Sequence, residues 1–244
     1  MSRPVNGGIR TLVVSAKDLG ELAKPDFCSR CFWLKRHARS LPFQIFPGIF
    51  SSIDAYTKKV VHAWMDRNDG APFGLDQLGK VVGYIDPPSH HGFKMEVPRY
   101  DILLTGAPDG ILQLADDSIA IIDYKTARFT PAQDEMMPIY GVQLNGYAAI
   151  AEHLDYGEVS KLALMYAEPV TDEETAAKSK THIDDGYTMP FSISIHPVNL
   201  DLGMLDPLYR QAREIYDLTE PPAGRAECED CRRLDTLIHL ARRA

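Results

Sequence analysis

The sequence contains no apolar run near the roughly 18 residues that a membrane-spanning helix needs. Residues Met1 to Leu19 contain no apolar segment of the kind found in a secretory signal peptide. These two absences predict a cytoplasmic protein. The sequence also lacks internal repeats and low-complexity tracts, and its 45% apolar and 25% charged residues exclude a disordered, collagenous or coiled-coil protein.

An excess of positive charge is also absent. The net charge is −8, which by itself argues against nucleic acid as a partner. The distribution is uneven, however, because residues 1–40 hold eight Lys and Arg against three Asp and Glu, and the acidic excess lies in the middle of the chain. A basic end beside an acidic centre fits a metal-dependent site next to a basic surface. A plain solvated surface is the alternative.

Cysteine is scarce, and all four cysteines lie in two Cys-x-x-Cys pairs, Cys28 with Cys31 and Cys228 with Cys231. Disulfides are not expected in a reducing compartment. Four thiolates suit a tetrahedral Zn²⁺ ion or an iron–sulfur cluster, and the alternative is four ordinary reduced cysteines. A shared metal would tie an N-terminal segment, residues 17–40, to a C-terminal segment, residues 220–244.

Hydrophobic periodicity predicts alternating helices and short strands. Apolar spacing predicts helices at 17–38 (interrupted at Pro25), 49–65, 136–154 and 202–218, and strands at 81–85, 102–105, 110–114, 119–124, 162–166 and 191–195. A break is predicted at Phe46-Pro47-Gly48, an exposed loop at 168–188 and a short tail after Pro222. This order predicts a mixed α/β fold with helical ends, and the absence of a clear linker predicts one domain over 1–244.

The most informative stretch is a predicted hairpin that carries three ionisable residues. Asp123 and Lys125 are two residues apart on a strand, so their side chains face the same side, and Asp109 precedes the partner strand. Two carboxylates and an ammonium group at the end of a sheet are costly to desolvate. A divalent cation would relieve the repulsion between the carboxylates, and hard oxygen ligands suit Mg²⁺ or Mn²⁺. This pattern favours phosphodiester hydrolysis over the alternative, an ion pair on a solvated edge strand.

The next predicted helix adds two polar residues on one face. Gln143 and Tyr147 are spaced i and i+4, so both could reach the cleft of the Asp-x-Lys strand. Taken alone, a glutamine at this spacing is more often a surface residue and a tyrosine is more often part of the core.

Together these motifs resemble the RecB-like branch of the PD-(D/E)XK nucleases. The matching segments are Gly106-Ala107-Pro108-Asp109, Ile122-Asp123-Tyr124-Lys125-Thr126 and Gln143-Leu144-Asn145-Gly146-Tyr147. The resemblance implies a restriction-endonuclease-like core over about residues 44–166, with a mixed central sheet flanked by helices. It also implies a metal-dependent DNA nuclease in which Asp109, Asp123 and the Tyr124 carbonyl bind the metal. Lys125 would be the catalytic lysine, and Gln143 and Tyr147 would complete the site.

The first helix departs from the family pattern. Members of this branch often carry a metal-binding histidine four residues after a glycine, whereas here Ser52 follows Gly48. Asp54 is the candidate substitute as a metal ligand, and its alternative role is that of a solvated or capping residue. His62 points roughly 80° away from Ser52 around the helix and is a poorer candidate.

The cysteines extend the resemblance to RecB-like nucleases with an iron–sulfur clasp, including the CRISPR-associated exonucleases. Cys28-Ser29-Arg30-Cys31-Phe32-Trp33 is similar to a cysteine segment of that group. The resemblance implies a [4Fe–4S] cluster bound by Cys28, Cys31, Cys228 and Cys231, with Zn²⁺ as the alternative. The usual division in that group is one N-terminal and three C-terminal cysteines, whereas this chain has two and two.

The basic N-terminal segment offers a possible path for DNA. Its charged and aromatic residues could guide a single strand by charge and stacking, or they could form a basic helix with buried aromatics: Arg30, Phe32, Trp33, Lys35, Arg36 and Arg39.

The leading hypothesis is therefore a Mg²⁺- or Mn²⁺-dependent deoxyribonuclease. The resemblance implies an exonuclease on single-stranded DNA ends, in DNA repair, recombination or CRISPR-type defence, with other proteins of such a pathway as possible partners. The alternative is a catalytically weak or inactive nuclease fold that binds DNA or protein and keeps a structural iron–sulfur or zinc site. The intact Asp109, Asp123 and Lys125 argue for the enzyme. A weaker third hypothesis is a hydrolase of another phosphoester, with a structural zinc ion bound by the cysteines.

Overall fold

The computed structural model describes residues 11–38, 48–68, 70–88, 91–130 and 135–242. The predicted break at Phe46-Pro47 and the basic residue Arg39 lie outside the described residues. Within the described ranges, no helix is long and apolar enough to cross a membrane.

A five-stranded mixed sheet forms the centre of the fold. Its strands are β2 (Val81–Ile85), β5 (Gly110–Leu114), β6 (Ile119–Lys125), β7 (Val159–Pro169) and β10 (Phe191–Val198). Their order across the sheet is β10-β7-β6-β5-β2. The β6–β7 pair is parallel and the other pairs are antiparallel. The mixed α/β class predicted from the sequence is confirmed.

A second, three-stranded sheet and a small hairpin accompany the central sheet. Strands β1 (Leu12–Ser15), β4 (Ile102–Thr105) and β3 (Lys94–Val97) form the second sheet, and β8 (His182–Ile183) pairs with β9 (Gly186–Tyr187). β1 runs parallel to β4, and β3 runs antiparallel to it.

The helices flank these sheets. They are α1 (Ala16–Gly20), α2 (Ser29–His37), α3 (Gly48–Met65), α4 (Met137–His153), α5 (Glu173–Ala176), α6 (Leu205–Tyr216) and α7 (Glu229–Ala241). Short 3₁₀ turns occur at 21–23, 75–78, 98–100, 179–181 and 202–204.

Strand β6 is buried on both faces, which explains its nearly continuous apolar sequence. Ile119 and Ile121 pack in the larger core with α4, whereas Ala120, Ile122 and Tyr124 pack in the smaller core. The smaller core includes Val61 of α3. Because side chains alternate along a strand, Asp123 and Lys125 continue the face that carries Ile119 and Ile121. The strand therefore directs both charged groups toward α4.

The predicted interruption at Pro25 divides residues 17–38 into separate elements. The chain forms α1 and a 3₁₀ turn, then runs without helix through Pro25 before α2 begins at Ser29. Proline has no N–H to donate and clashes with the preceding helical turn, so it breaks the helix.

Other local elements also differ from the predictions. The predicted C-terminal tail contains α7, and the predicted loop at 168–188 contains α5 and the β8–β9 hairpin. The sequence reasoning missed the four-residue strands β1 and β3, although it found the equally short β4.

Candidate active site

The β5–β6 hairpin brings Asp109 to the end of β6. Gly110 is paired with Ile122 in the ladder, so Asp109 lies beside the last residues of the partner strand. The backbone N–H of Tyr124 donates to Asp109 Oδ2 over 2.8 Å. The carboxylate of Asp109 is therefore fixed by the backbone of the strand that carries Asp123.

Asp123 and Lys125 form a buried ion pair. Their side chains are 5% and 18% exposed, and Lys125 Nζ lies 2.5 Å from Asp123 Oδ2. The ammonium group also lies 4.3 Å from the centroid of the Tyr140 ring, on the first turn of α4. Because the aromatic face attracts a cation, Tyr140 helps to hold Lys125 over the site.

Helix α4 holds the second oxygen of Asp123. The Gln143 amide nitrogen donates to Asp123 Oδ1 over 3.0 Å and to the Tyr147 hydroxyl over 2.8 Å. All three side chains are buried, so these bonds form in a medium of low polarity, where they are stronger than in water. The sequence expectation that Gln143 and Tyr147 face the Asp-x-Lys strand agrees with this placement.

Gly106 makes room for the Tyr147 ring. A Cβ at position 106 would lie 2.7 Å from Tyr147 Cδ1 and 3.2 Å from Phe93 Cδ1. Both distances are tighter than ordinary carbon contacts. The packing of Tyr147 therefore requires glycine at position 106, the first residue of the Gly-x-x-Asp segment.

The electrostatics of Asp109 show an excess of negative charge. Burial, together with the nearby carboxylates of Asp123 and Asp54, raises the pKa of Asp109 to about 7, although the Tyr124 N–H and Lys125 act in the opposite direction. Burial and the charge of Asp123 also raise the pKa of Tyr147, so its phenol stays protonated. One lysine does not compensate the carboxylates gathered here.

The contacts of α3 show where Ser52, Asp54 and His62 lie relative to the site that lacks the expected first-helix histidine. The Ser52 side chain is exposed, and its hydroxyl donates to the Gly48 carbonyl over 3.2 Å. This hydrogen bond lies within α3 and does not reach the site. Asp54, in contrast, accepts a 2.7 Å hydrogen bond from the Thr126 hydroxyl and is close enough to act on Asp109. His62 stacks on the Tyr84 ring at 3.8 Å, next to β2.

These residues fit a divalent cation by their chemistry. Asp109, Asp123 and Asp54 are hard oxygen donors, and the raised pKa of Asp109 reports a repulsion that a cation would remove. Gln143 Oε1 is buried with no hydrogen-bond partner among the described residues, as expected of an acceptor that faces a solvated ligand.

The carboxylates are nevertheless spread more widely than the thiols. Among the described residues, the four cysteines are the one group of three or more potential ligands whose atoms all lie within 4.8 Å of one another. A looser set suits Mg²⁺, which keeps several of its waters when it binds to proteins.

The cysteine cluster joins the starts of two helices. Cys28 immediately precedes α2 and Cys228 immediately precedes α7, so each Cys-x-x-Cys pair occupies a helix N-terminus. The Sγ–Sγ distances are 3.6 Å for Cys28–Cys231, Cys31–Cys228 and Cys31–Cys231. The predicted convergence of the two pairs is confirmed.

Backbone amides polarise one of these thiols. The N–H of Arg225 lies 3.4 Å from Cys28 Sγ. Burial raises the pKa of Cys28, but hydrogen bonds from the amides of Arg225 and Cys31 and from the Cys231 and Cys228 thiols together lower this pKa to about 6. Burial, together with hydrogen bonding to the neighbouring thiols, raises the pKa of Cys231 to about 11. Residue types and spacing do not identify Arg225, because it joins the cluster through its backbone.

The basic N-terminal segment is occupied by internal contacts. Arg30 pairs with Asp235, Lys35 with Glu21 and Arg36 with Asp18, at distances of 2.6 to 2.9 Å. The Phe32 ring is 1% exposed. Trp33 stacks on His37 and donates its N–H to the Leu218 carbonyl. These contacts favour the basic helix with buried aromatics over a path for DNA.

Two further residues belong to the site although the sequence reasoning gave them no role. Thr126 holds Asp54, and Tyr140 packs on Lys125. Thr126 could have been found because it directly follows Lys125. Tyr140 could have been found because it precedes Gln143 by three residues and so lies on the same helical face.

The comparisons with known proteins agree with this geometry. The chain matches the family model of the PD-(D/E)XK nuclease superfamily over residues 47–234, which is well over half of its length. The match covers Asp54, the hairpin, α4 and the C-terminal cysteine pair, whereas Cys28 and Cys31 precede it. The comparison with curated proteins finds no match. The extent of the family match shows that this chain belongs to the PD-(D/E)XK nuclease superfamily.

Proposed function

We propose that this chain is a divalent-metal-dependent deoxyribonuclease that hydrolyses phosphodiester bonds with an Asp109, Asp123 and Lys125 site. The observation that carries the proposal is the buried Asp123–Lys125 pair, 2.5 Å apart, beside a second carboxylate with a raised pKa. Burial of such charges is costly, and it is typical of sites where a cation and a charged substrate are handled. Membership of a nuclease superfamily supports nucleic acid as the substrate class.

The chain would hold the cation through oxygen ligands. We assign the Asp109 and Asp123 carboxylates, the Tyr124 carbonyl and the Asp54 carboxylate to a Mg²⁺ or Mn²⁺ ion, because all are hard donors near the end of β6. When bound, such an ion polarises a phosphate and lowers the pKa of a bound water.

The remaining side chains stabilise charge on the phosphate and position the Asp123 carboxylate. The Lys125 ammonium is available to stabilise negative charge that develops on the phosphate, and Tyr140 limits its movement. Gln143 positions the Asp123 carboxylate through Oδ1, and its second hydrogen bond to Tyr147 fixes the amide in turn. Both α4 residues therefore keep Asp123 in one orientation as a substrate approaches.

The finer assignment rests on the motif resemblance to the RecB-like branch. It makes the protein an exonuclease on single-stranded DNA ends, in DNA repair, recombination or CRISPR-type defence. It also treats residues 1–244 as one nuclease domain closed by the cysteine cluster.

The test is a nuclease assay with end-labelled linear DNA and circular single-stranded DNA, in Mn²⁺, Mg²⁺ or EDTA. We expect Mn²⁺-dependent degradation of linear single strands, with circular DNA resistant. Asp123→Ala and Lys125→Ala should abolish cleavage without unfolding the protein. Asp184→Ala and Lys161→Ala, both at exposed positions, are the matched controls. If the two site variants degrade DNA like the parent protein, the site is misassigned.

One observation favours a second candidate, a nuclease fold that binds DNA without cutting it. Ser52 stands where the branch often has a metal-binding histidine, and its hydroxyl is bonded to its own helix. A binding module would retain DNA affinity in EDTA and yield no products with Mn²⁺. The same assay, combined with a DNA-binding measurement in EDTA, separates the two candidates.

A further inference from the structure

The spacing of the four cysteine sulfurs is that of ligands to one metal ion. Three Sγ–Sγ distances are 3.6 Å, and all four sulfurs lie within 4.8 Å of one another. Four thiolates on one tetrahedral Zn²⁺, with Zn–S bonds of about 2.3 Å, lie roughly 3.8 Å apart. In a [4Fe–4S] cluster each thiolate binds a different iron at a separate corner, so the four sulfurs stand farther apart.

The loop before α7 packs against two of the sulfurs. A Cβ added at Gly224 would lie 2.8 Å from Cys231 Sγ and 3.4 Å from Arg30 Cδ. The backbone at position 224 is thus packed against this sulfur. The next backbone N–H, that of Arg225, contacts Cys28 Sγ over 3.4 Å. Loop 224–225 therefore borders two of the four ligands.

The positions of the ligands in the two helices also favour a single metal ion. Each Cys-x-x-Cys pair lies at the N-terminus of a helix, with its first cysteine immediately before the helix and its second inside the first turn. Two such pairs form the usual ligand set of a structural tetrathiolate zinc site. The positive ends of two helices also offset part of the thiolate charge.

We propose that Cys28, Cys31, Cys228 and Cys231 bind a single tetrahedral Zn²⁺ ion, and not the [4Fe–4S] cluster that the resemblance to clasp-bearing nucleases implies. The ion is structural, because four protein ligands leave no open position for a substrate or water. It links the N-terminus of α2 to that of α7, which lie about 200 residues apart in the sequence.

The test is the metal and sulfide content of protein purified anaerobically from cells supplied with both iron and zinc. Anaerobic handling matters because oxidative loss of a cluster could otherwise let zinc enter afterwards. We expect one zinc per chain, no acid-labile sulfide and no broad visible absorption. Iron with inorganic sulfide, or a single iron in place of zinc, overturns the proposal.

Cobalt substitution tests the coordination directly. Co²⁺ in place of zinc should give thiolate charge-transfer bands and the visible bands of a tetrahedral ion, at one equivalent per chain. Cys28→Ser and Cys231→Ser should lose these bands and most of the zinc, whereas Asp123→Asn should keep both. Should the cysteine variants fail to fold, the cobalt spectrum of the Asp123→Asn protein still decides, and a spectrum without thiolate charge-transfer bands and tetrahedral bands counts against the proposal.

These readouts are independent of the proposed nuclease activity. Acid-labile sulfide and the thiolate bands of cobalt report only on the cysteine cluster, whereas DNA cleavage reports on Asp109, Asp123 and Lys125. Failure of one proposal therefore leaves the other standing.

Discussion

The two candidate metal centres are assembled in opposite ways. The carboxylate site draws Asp109, Asp123, Lys125 and Gln143 from one hairpin and the helix that follows it, within about 35 residues of sequence. The cysteine cluster joins residues 28–31 to residues 228–231. These local residues need only correct secondary structure and register, and Asp54 joins them from α3. The cysteine cluster, in contrast, forms only after both ends of the chain have come together.

The largest expected effect concerns catalysis and should be confined to the carboxylate site. Asp123→Asn removes one charge of the buried pair, and we expect cleavage to fall by roughly 10²-fold or more, the scale seen when one charge-stabilising group is lost. The metal of the cysteine cluster should stay at the level of the parent protein. Rates at saturating Mn²⁺, with metal analysis of the same samples, measure both quantities.

A loss of cysteine metal in the Asp123→Asn protein would show that the two centres are coupled. Asp184→Asn, in the exposed turn of the β8–β9 hairpin, is the control for the change of charge.

The next effect concerns stability and should be confined to the cysteine cluster. Cys231→Ser removes a ligand that links α2 to α7, so metal binding no longer contributes to folding. We expect the melting temperature to fall by roughly 10 °C, since each 1 kcal/mol corresponds to about 2–4 °C in a chain of this size. Thermal unfolding followed by circular dichroism measures the change.

Addition of a metal chelator to the parent protein should produce a similar shift, and addition of the chelator to Cys231→Ser should produce almost none. An unchanged melting temperature in both cases would mean that the cluster does not stabilise the fold.

A smaller effect should follow from closing the space beside Tyr147. Gly106→Ala places a methyl group 2.7 Å from the Tyr147 ring, so the ring must move and its bond to Gln143 weakens. We expect a destabilisation of about 1–3 kcal/mol, as for other overpacked cores, together with reduced cleavage.

The matched control is Gly141→Ala on α4, where an added Cβ meets nothing within 4 Å. Alanine favours a helix over glycine, so this variant should be about 1 kcal/mol more stable or unchanged. Chemical denaturation distinguishes the two variants, and equal stabilities would contradict the packing argument.

The smallest effect is a pH dependence of the metal-free protein. The pKa of Asp109 is raised to about 7 from an ordinary value of 3.8, so the folded state holds this proton more tightly than the unfolded state. Stability that depends on this group is therefore full below about pH 4 and is lost as the pH rises toward and through 7.

Asp109→Asn cannot ionise and should remove this loss. We therefore expect its melting temperature in EDTA to rise relative to that of the parent protein between pH 5 and pH 8. A constant difference across that range would show that Asp109 does not titrate near neutral pH.

The same comparison explains how much the sequence could predict. The spacing of Asp123 and Lys125, and of Gln143 and Tyr147, already placed each pair on one face, because strand and helix periods are fixed by the backbone. For the same reason β2, β5 and β6 were predicted within one residue, whereas β7 and β10 extend three residues beyond their predicted ends. Helix α7 was missed although Leu234, Leu237 and Ile238 recur at helical spacing, and Leu237 and Ile238 are exposed on its surface.

By itself, the sequence determined the mixed α/β class, the hairpin with its carboxylates and the pairing of cysteines within each Cys-x-x-Cys motif. Only the tertiary structure decided that Asp54 rather than Ser52 approaches the site, because that depends on which side of α3 meets Thr126. It also decided that the basic N-terminal segment is neutralised by Asp18, Glu21 and Asp235. The spacing of the four cysteine sulfurs was also decided by the tertiary structure, because distances between remote residues follow from packing and not from local periodicity.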